Sequence, residues 1–230
     1  MSVVAWHDVE CHGYDADLPL WLALAAREPG PVLDVGAGTG RVALELAAAG
    51  HDVTALDLDA DLLAALSERA LERGLSVRTV TADAQAFAAG RFGLVLVPMQ
   101  TLQLLADRPA FWRSARTALA PGGLLAVAIA DELVAFDDVE TLPEPDVGEA
   151  GGRRYVSQPT AVRLDGGRAR IERLRTVDGG VPEADVIELA VVDPAGLAAE
   201  ARAAGLRAVP GERIPPTEEH VGSSVVMFRS

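Results

Sequence analysis

Between Val32 and Arg41 the chain reads Val-Leu-Asp-Val-Gly-Ala-Gly-Thr-Gly-Arg, and few folds can accommodate such a stretch. The apolar residues Val32, Leu33 and Val35 predict a buried parallel strand, and the amphipathic run from Arg41 to Ala49 predicts a helix directly behind it. Gly36, Gly38 and Gly40 stand between them. Without Cβ atoms they let the backbone turn sharply and let a ligand lie directly on it. The stretch therefore predicts a strand, a cofactor loop and a helix.

Dinucleotide sites use Gly-x-Gly-x-x-Gly, with a pyrophosphate resting on the helix N-terminus. Here the third glycine comes one residue early, so that Arg41 occupies the place of the last glycine in that pattern. Asp34 also puts a carboxylate just ahead of the glycines, which suits a cationic ligand better than a diphosphate. Leu33-Asp34-Val35-Gly36-Ala37-Gly38-Thr39-Gly40 resembles the first motif of the class I S-adenosylmethionine-dependent methyltransferases, of the type acting on small molecules. That cofactor carries a sulfonium and an α-ammonium and no phosphate. The resemblance implies a doubly wound α/β fold, with a seven-stranded, mostly parallel sheet and helices on both faces. It also implies cofactor contacts along Asp34, Gly36, Ala37, Gly38 and Gly40.

Later segments fit the same plan. Val53–Asp57 predicts the second strand, and Asp57 falls 21 residues after Gly36, close to the spacing of about 20 at which a carboxylate meets a ribose in nucleotide-binding βαβ units. Asp57 is thus the expected ribose ligand, Leu58 would lie against the adenine, and Asp59 or Asp61 is better placed to cap the next helix. Leu62, Leu63, Leu66 and Ala70 form a helical stripe, and residues 77–80 predict the third strand. The resemblance assigns the adenine amino group to Asp83 and the cover of the ring to Ala84. Residues 92–97 predict the fourth strand, whose exit at Pro98 and Met99 should face the reacting methyl group, because open α/β sheets bind ligands at the carboxyl ends of their strands. The family often has Asp where this chain has Gly93, and an Asn-Pro-Pro-Tyr type motif, common in nucleic-acid and protein amide methylators, is missing near Pro98. A helix over 108–119, a Pro121-Gly122-Gly123 turn and a fifth strand over 124–130 complete this part.

Ahead of the first strand, Asp17 is the expected N-cap of a helix over 18–27, with Pro19 in its first turn. The resemblance makes Tyr14 and Trp21 candidates for a lid over the cofactor. Between 141 and 192 the pattern changes: Asp-Gly-Gly turns at 165–167 and 178–180 separate runs rich in β-branched residues and arginine, a strong hairpin signal. This predicts a small antiparallel β insert after the fifth strand, a substrate cover over a cofactor-binding unit made of 1–140 and 193–230. Arg168, Arg170, Arg173 and Arg175 are either ligands for an acidic substrate or a solvated strand face. Asp193, Pro194 and Gly205 delimit a last helix, and two final strands follow at 206–214 and 223–229.

The 230 residues carry 20 basic and 34 acidic side chains, a formal net charge of −14. Such a chain is repelled by a phosphate backbone, which disfavours nucleic acid and points to a small-molecule acceptor. One cysteine, Cys11, rules out an intramolecular disulfide and disfavours a cysteine metal cluster, so no metal is expected. With no basic start, signal-like apolar core or run near the roughly 20 residues of a membrane span, a cytoplasmic, membrane-free protein is expected. Methyl transfer mainly needs positioning, and a general base helps when the acceptor is a hydroxyl or an ammonium. His7 and His220 lie in segments able to fold over the cofactor and are the candidate bases, with Asp131 and Glu132 at the end of the fifth strand also placed for it. The expectation is a methyltransferase moving a methyl group from S-adenosyl-L-methionine to a nitrogen or oxygen. The alternatives are a non-catalytic module that binds the same cofactor, or an NAD(P)-dependent oxidoreductase, which Asp34 and Arg41 disfavour.

Overall fold

The computed structural model describes residues 3–137, 142–217 and 221–230. Seven strands form the main sheet, in the order β10 (Arg207–Ile214), β11 (Ser223–Arg229), β5 (Leu119–Ile129), β4 (Phe92–Val97), β1 (Val32–Val35), β2 (Val53–Asp57) and β3 (Val77–Thr81). Strands β1 to β5 pair parallel, while β11 runs antiparallel to both β5 and β10. The two last strands pair with each other, and only β10 is an edge.

Burial on both faces of the central strands explains their nearly unbroken apolar sequences, since β4 and the second half of β5 are buried throughout. Alternate residues of each strand feed opposite cores. Leu33, Val35, Val95 and Val127 pack with Phe111 and Trp112 of α6 (Arg108–Ala118) and Leu197 of α7 (Pro194–Ala203). Val32, Leu94, Leu96 and Ala126 pack with Trp21 of α2 (Leu18–Arg27), Val42 and Leu46 of α3 (Arg41–Ala48), and Leu63 and Leu66 of α4 (Ala60–Glu72). The period of two sorts each strand between the two helical layers.

Several helix ends obey their local signals. Asp59 accepts from the amides of Asp61 and Leu62, and Asp193 from those of Ala195 and Gly196, as N-caps do. Asp17 does not. Its backbone is helical and its carboxylate caps nothing; it receives Arg41 and the Trp21 indole instead. The Pro121-Gly122-Gly123 turn is absorbed into β5, where the register against β4 jumps between Phe92↔Leu119 and Leu94↔Leu124. A short helix α5 (Thr101–Leu104) follows β4 without a sequence signal, and a turn at residues 84–86 follows Asp83.

The insert is a separate four-stranded antiparallel sheet, β6 (Asp146–Ala150), β7 (Arg153–Asp165), β8 (Arg168–Val177) and β9 (Glu183–Ala190). Both Asp-Gly-Gly turns join strands as predicted, and a third hairpin at Gly151-Gly152 adds β6, which composition did not reveal. The expected limit at Thr141 lies outside the described residues. Residues 1–16 lack periodicity in sequence, yet Val3–His7 is a helix, α1, continued by a wider π-helical turn over Asp8–His12.

Candidate active site

The glycine loop leaves β1 and is held from below by β2, since the amides of Gly36 and Ala37 both donate to the Leu56 carbonyl at 2.8 and 3.0 Å. Gly36, Gly38 and Gly40 have φ of 74, 54 and 96°, a left-handed path that glycine alone follows without strain. Neighbours have taken up the space of the missing side chains. A Cβ on Gly36 would stand 2.5 Å from the Thr101 methyl, one on Gly40 would stand 2.7 Å from Leu66, and one on Gly38 would collide with the His7 imidazole.

Asp57, at the carboxyl end of β2, accepts from the Gly38 amide at 2.8 Å and from the Asp59 amide at 3.0 Å. Beside it Leu58 is 70 % exposed, an apolar side chain standing in the open where an adenine is expected. Asp83 follows β3 and accepts from the Gln85 amide and side chain, while Ala84 is buried against the core. Met99, just past β4, has φ of 54°, an uncommon conformation for a residue with a side chain, here at the strand end where reacting groups gather. These residues come together along the carboxyl edge of adjacent strands.

Asp34 lies inside the sheet, paired in register with Ala55 and Leu96, and is 1 % exposed. Neither carboxylate oxygen has a well-formed hydrogen bond, and the nearby Ala43 amide offsets its burial only in small part. Burial pushes its pKa up to about 7, against the pull of the Arg41 guanidinium and with the help of Asp57 and Asp17. A buried carboxylate next to a ligand loop fits a ligand that carries positive charge.

Arg41 is itself buried, bound at 2.5 and 2.7 Å to Asp17 and at 2.7 Å to the Tyr14 carbonyl. Its guanidinium lies 5.2 Å from the Tyr14 ring. Tyr14 shares an apolar cluster with Ala37 and Met99 and is 5 % exposed, whereas Trp21 is wholly buried beneath the sheet and is not a lid residue.

His7 rests on Gly38, and its Nδ1 lies 3.3 Å from Thr39 Oγ1. Burial lowers its pKa, which Asp8 and Asp57 only partly offset. Asp8 accepts from Thr39 Oγ1 at 2.8 Å and pairs with Arg69 of α4 at 2.5 Å; burial would raise its pKa, but those bonds bring it below the ordinary value. His220 lies outside the described residues. Asp131 accepts from Ser224 at 2.7 Å, and Glu132 pairs with Arg213. Cys11 is pushed up to about 11 by burial, so it is a thiol at neutral pH.

Of the four arginines on β8, Arg173 and Arg175 are largely buried, while Arg168 and Arg170 stand exposed on the strand face. Arg173 and Arg175 pair with Glu10 and Asp185, Arg168 with Glu188, and Arg170 with Glu172. Gln103 of α5 donates to the Ala130 and Ala190 carbonyls and accepts from the Ala130 amide, tying β5 to β9. Asp8, Glu10, Arg69 and Gln103 also shape the site, and no sequence motif marks them, because their partners lie between 27 and 165 residues away.

Residues 32–123, the span from β1 into β5, match the family described as a methyltransferase domain. A ubiquinone biosynthesis O-methyltransferase of Caulobacter sp. (strain K31) is 37 % identical over 100 residues, 42 % of this chain and 39 % of the relative. The chain thus aligns with about two fifths of the length of that curated relative. The CcbJ methyltransferase of Streptomyces caelestis superposes with a TM-score of 0.73 at 23 % identity, over 95 % of this chain and 97 % of the other. CalS10, an amino pentose methyltransferase from Micromonospora echinaspora solved with S-adenosylmethionine bound, gives 0.70 at 19 % identity, over 100 % and 97 %. The chain shares the Rossmann-like fold of these S-adenosylmethionine-dependent methyltransferases. Among the described residues no helix is long and apolar enough to cross a membrane, and no three His, Cys, Asp or Glu side chains are grouped to hold a metal ion.

Proposed function

We propose that the protein transfers a methyl group from S-adenosyl-L-methionine to a nitrogen or oxygen of a small-molecule acceptor. The observation that carries this is the Asp57 carboxylate at the Gly38 amide, beside the open Leu58 side chain and above the buried Asp34. When bound, the cofactor supplies a methyl group already activated by a sulfonium. The chain's own part is to bind, orient and exclude water.

In this reading Asp57 accepts from the ribose hydroxyls while keeping Gly38 in place, Leu58 and Ala84 flank the adenine, and Asp83 accepts from its amino group. Gly36, Ala37, Gly38 and Gly40 present bare backbone to the rest of the cofactor, with Tyr14 behind them. Asp34 supplies negative charge under a cationic ligand. Pro98 and Met99 frame the methyl end, and residues 141–192 cover the acceptor. His7 is held on the glycine loop in its neutral form, which makes it a cofactor-side group; the assignment of a general base is left to kinetics.

The relatives support a small acceptor: one is named for ubiquinone biosynthesis and another for an amino pentose. The net charge of −14 supports an acceptor without a phosphate backbone. Calorimetric titration with S-adenosylmethionine, S-adenosylhomocysteine and NAD tests the cofactor. Binding of the two adenosyl ligands without NAD is expected; binding of NAD alone would overturn the proposal. Methyl incorporation from labelled cofactor across small amines and phenols then separates an enzyme from a non-catalytic binding module.

A further inference from the structure

Residues 3–12 touch both halves of the site. On the cofactor side the His7 ring lies against Gly38, filling the space that a side chain there would need. Asp8 fastens it there through Arg69 at 2.5 Å and Thr39 at 2.8 Å. On the other side Glu10, whose side chain is 7 % exposed, is gripped by the inserted sheet. Arg175 donates to it from Nε and Nη2 at 2.7 Å each, Arg173 approaches at 2.8 Å, and Ser157 donates at 2.8 Å. Trp6 stands edge-on to Tyr155 at 5.0 Å with the Arg175 guanidinium 5.1 Å from its ring, and Val9 packs on Gly148.

The segment does not hold its position by itself. Its helix has five residues and its π-helical turn five more, and the turn has no side-chain cap. Helices shorter than about 12 residues are marginal in isolation. Its place is therefore set by its anchors. In the Glu10 cluster two guanidinium groups meet two carboxylates, Glu10 and Asp185, so no charge is spare. Neutralising Glu10 leaves buried positive charge uncompensated and loosens the grip.

We propose that residues 3–12 are a strap gating the glycine loop, with Glu10 as its positioning residue. The hold of the inserted sheet on Glu10 sets how often His7 leaves Gly38, and the cofactor passes only while His7 is away. The cofactor loop and the acceptor cover thus share one moving segment, and neither opens alone. This rests on the reading that the loop holds an adenosyl cofactor.

The test is stopped-flow mixing of the full chain with S-adenosylhomocysteine, followed by tryptophan emission, since Trp6 rides on the strap. Glu10→Gln keeps the shape and the Ser157 partner but removes the charge, and Arg175→Gln loosens the same contact from the sheet side. Both association and dissociation rate constants are expected to rise by about fivefold or more in each variant, with the dissociation constant moving less than either rate. His7→Ala, which clears Gly38 without touching the ion cluster, should accelerate binding likewise and serves if Glu10→Gln melts early. Equal rates in all variants overturn the strap and leave the cofactor reading intact. Faster dissociation alone, with affinity falling in step, shows a contact to bound ligand rather than a gate and also overturns it. Failure of the wild type to bind S-adenosylhomocysteine removes the cofactor reading and the strap with it.

Discussion

The amide of Gly38 donates to the carboxylate of Asp57 across 2.8 Å, so the last residue of β2 holds the loop that follows β1. The other oxygen of Asp57 receives the Asp59 amide at 3.0 Å, at the start of α4. One side chain sets two backbone turns on either side of the ligand face.

Asp57→Ala removes both contacts and the proposed ribose acceptor. A hydrogen bond to a charged group contributes about 1.5–3 kcal/mol, so the affinity for S-adenosylhomocysteine should fall at least about tenfold. Glu68→Ala, on the exposed side of α4, should leave it unchanged. Calorimetry on the two variants checks this.

Asp34 gives the fold a pH dependence of definite sign. Its pKa in the folded chain is about 7, against an ordinary value of 3.8, so the folded state holds this proton more tightly than the unfolded one. Stability from this group is then full below about pH 4 and is lost as pH rises through 7, a total of about 4 kcal/mol. Asp34→Asn should flatten that slope and melt higher than wild type at pH 8. A bound cation favours the carboxylate, so near pH 6 S-adenosylmethionine binding should release a proton and strengthen as pH rises. Calorimetry in buffers of different ionisation enthalpy measures the proton count.

Gly93 answers a steric demand, which explains why this chain lacks the Asp common in the family. A Cβ at this position would collide with the Pro29 carbonyl oxygen, and the Gly93 amide donates to the Pro31 carbonyl at 3.0 Å. Gly93→Asp should cost about 3 kcal/mol or more, lowering the melting temperature by roughly 6–12 °C. Near-wild-type melting would contradict the close approach.

Arg41 and Asp17 form an ion pair with side chains 7 and 1 % exposed, and the Trp21 indole donates to the same carboxylate at 2.7 Å. Asp17→Ala leaves a buried guanidinium without its counter-charge and should destabilise by about 3–5 kcal/mol in urea unfolding. The double replacement Asp17→Leu with Arg41→Met, which removes both charges, should cost less than Asp17→Ala alone.

The strand, loop and helix around Gly36 to Gly40 were legible because their signals are local: an apolar run, three glycines and an amphipathic period lie within 18 residues. The caps at Asp59 and Asp193 and the two Asp-Gly-Gly hairpins were legible for the same reason. Asp17 misled because a capping residue type met a stronger partner, Arg41, 24 residues away. The arginines of β8 were legible as charges but not as pairs, since Glu10 reaches them from the far end of the chain.

Residue order by itself determined which segments become strands and helices, and an order of glycines and carboxylates that resembles the class I methyltransferases. Those properties follow from backbone geometry and from periodicity over a few residues. Only the tertiary structure decided that His7 lies on Gly38, that Thr101 closes over Gly36, and that Glu10 joins the N-terminal segment to the inserted sheet. These contacts depend on how separate elements approach one another, and a buried charge takes whichever partner that approach brings within hydrogen-bonding distance.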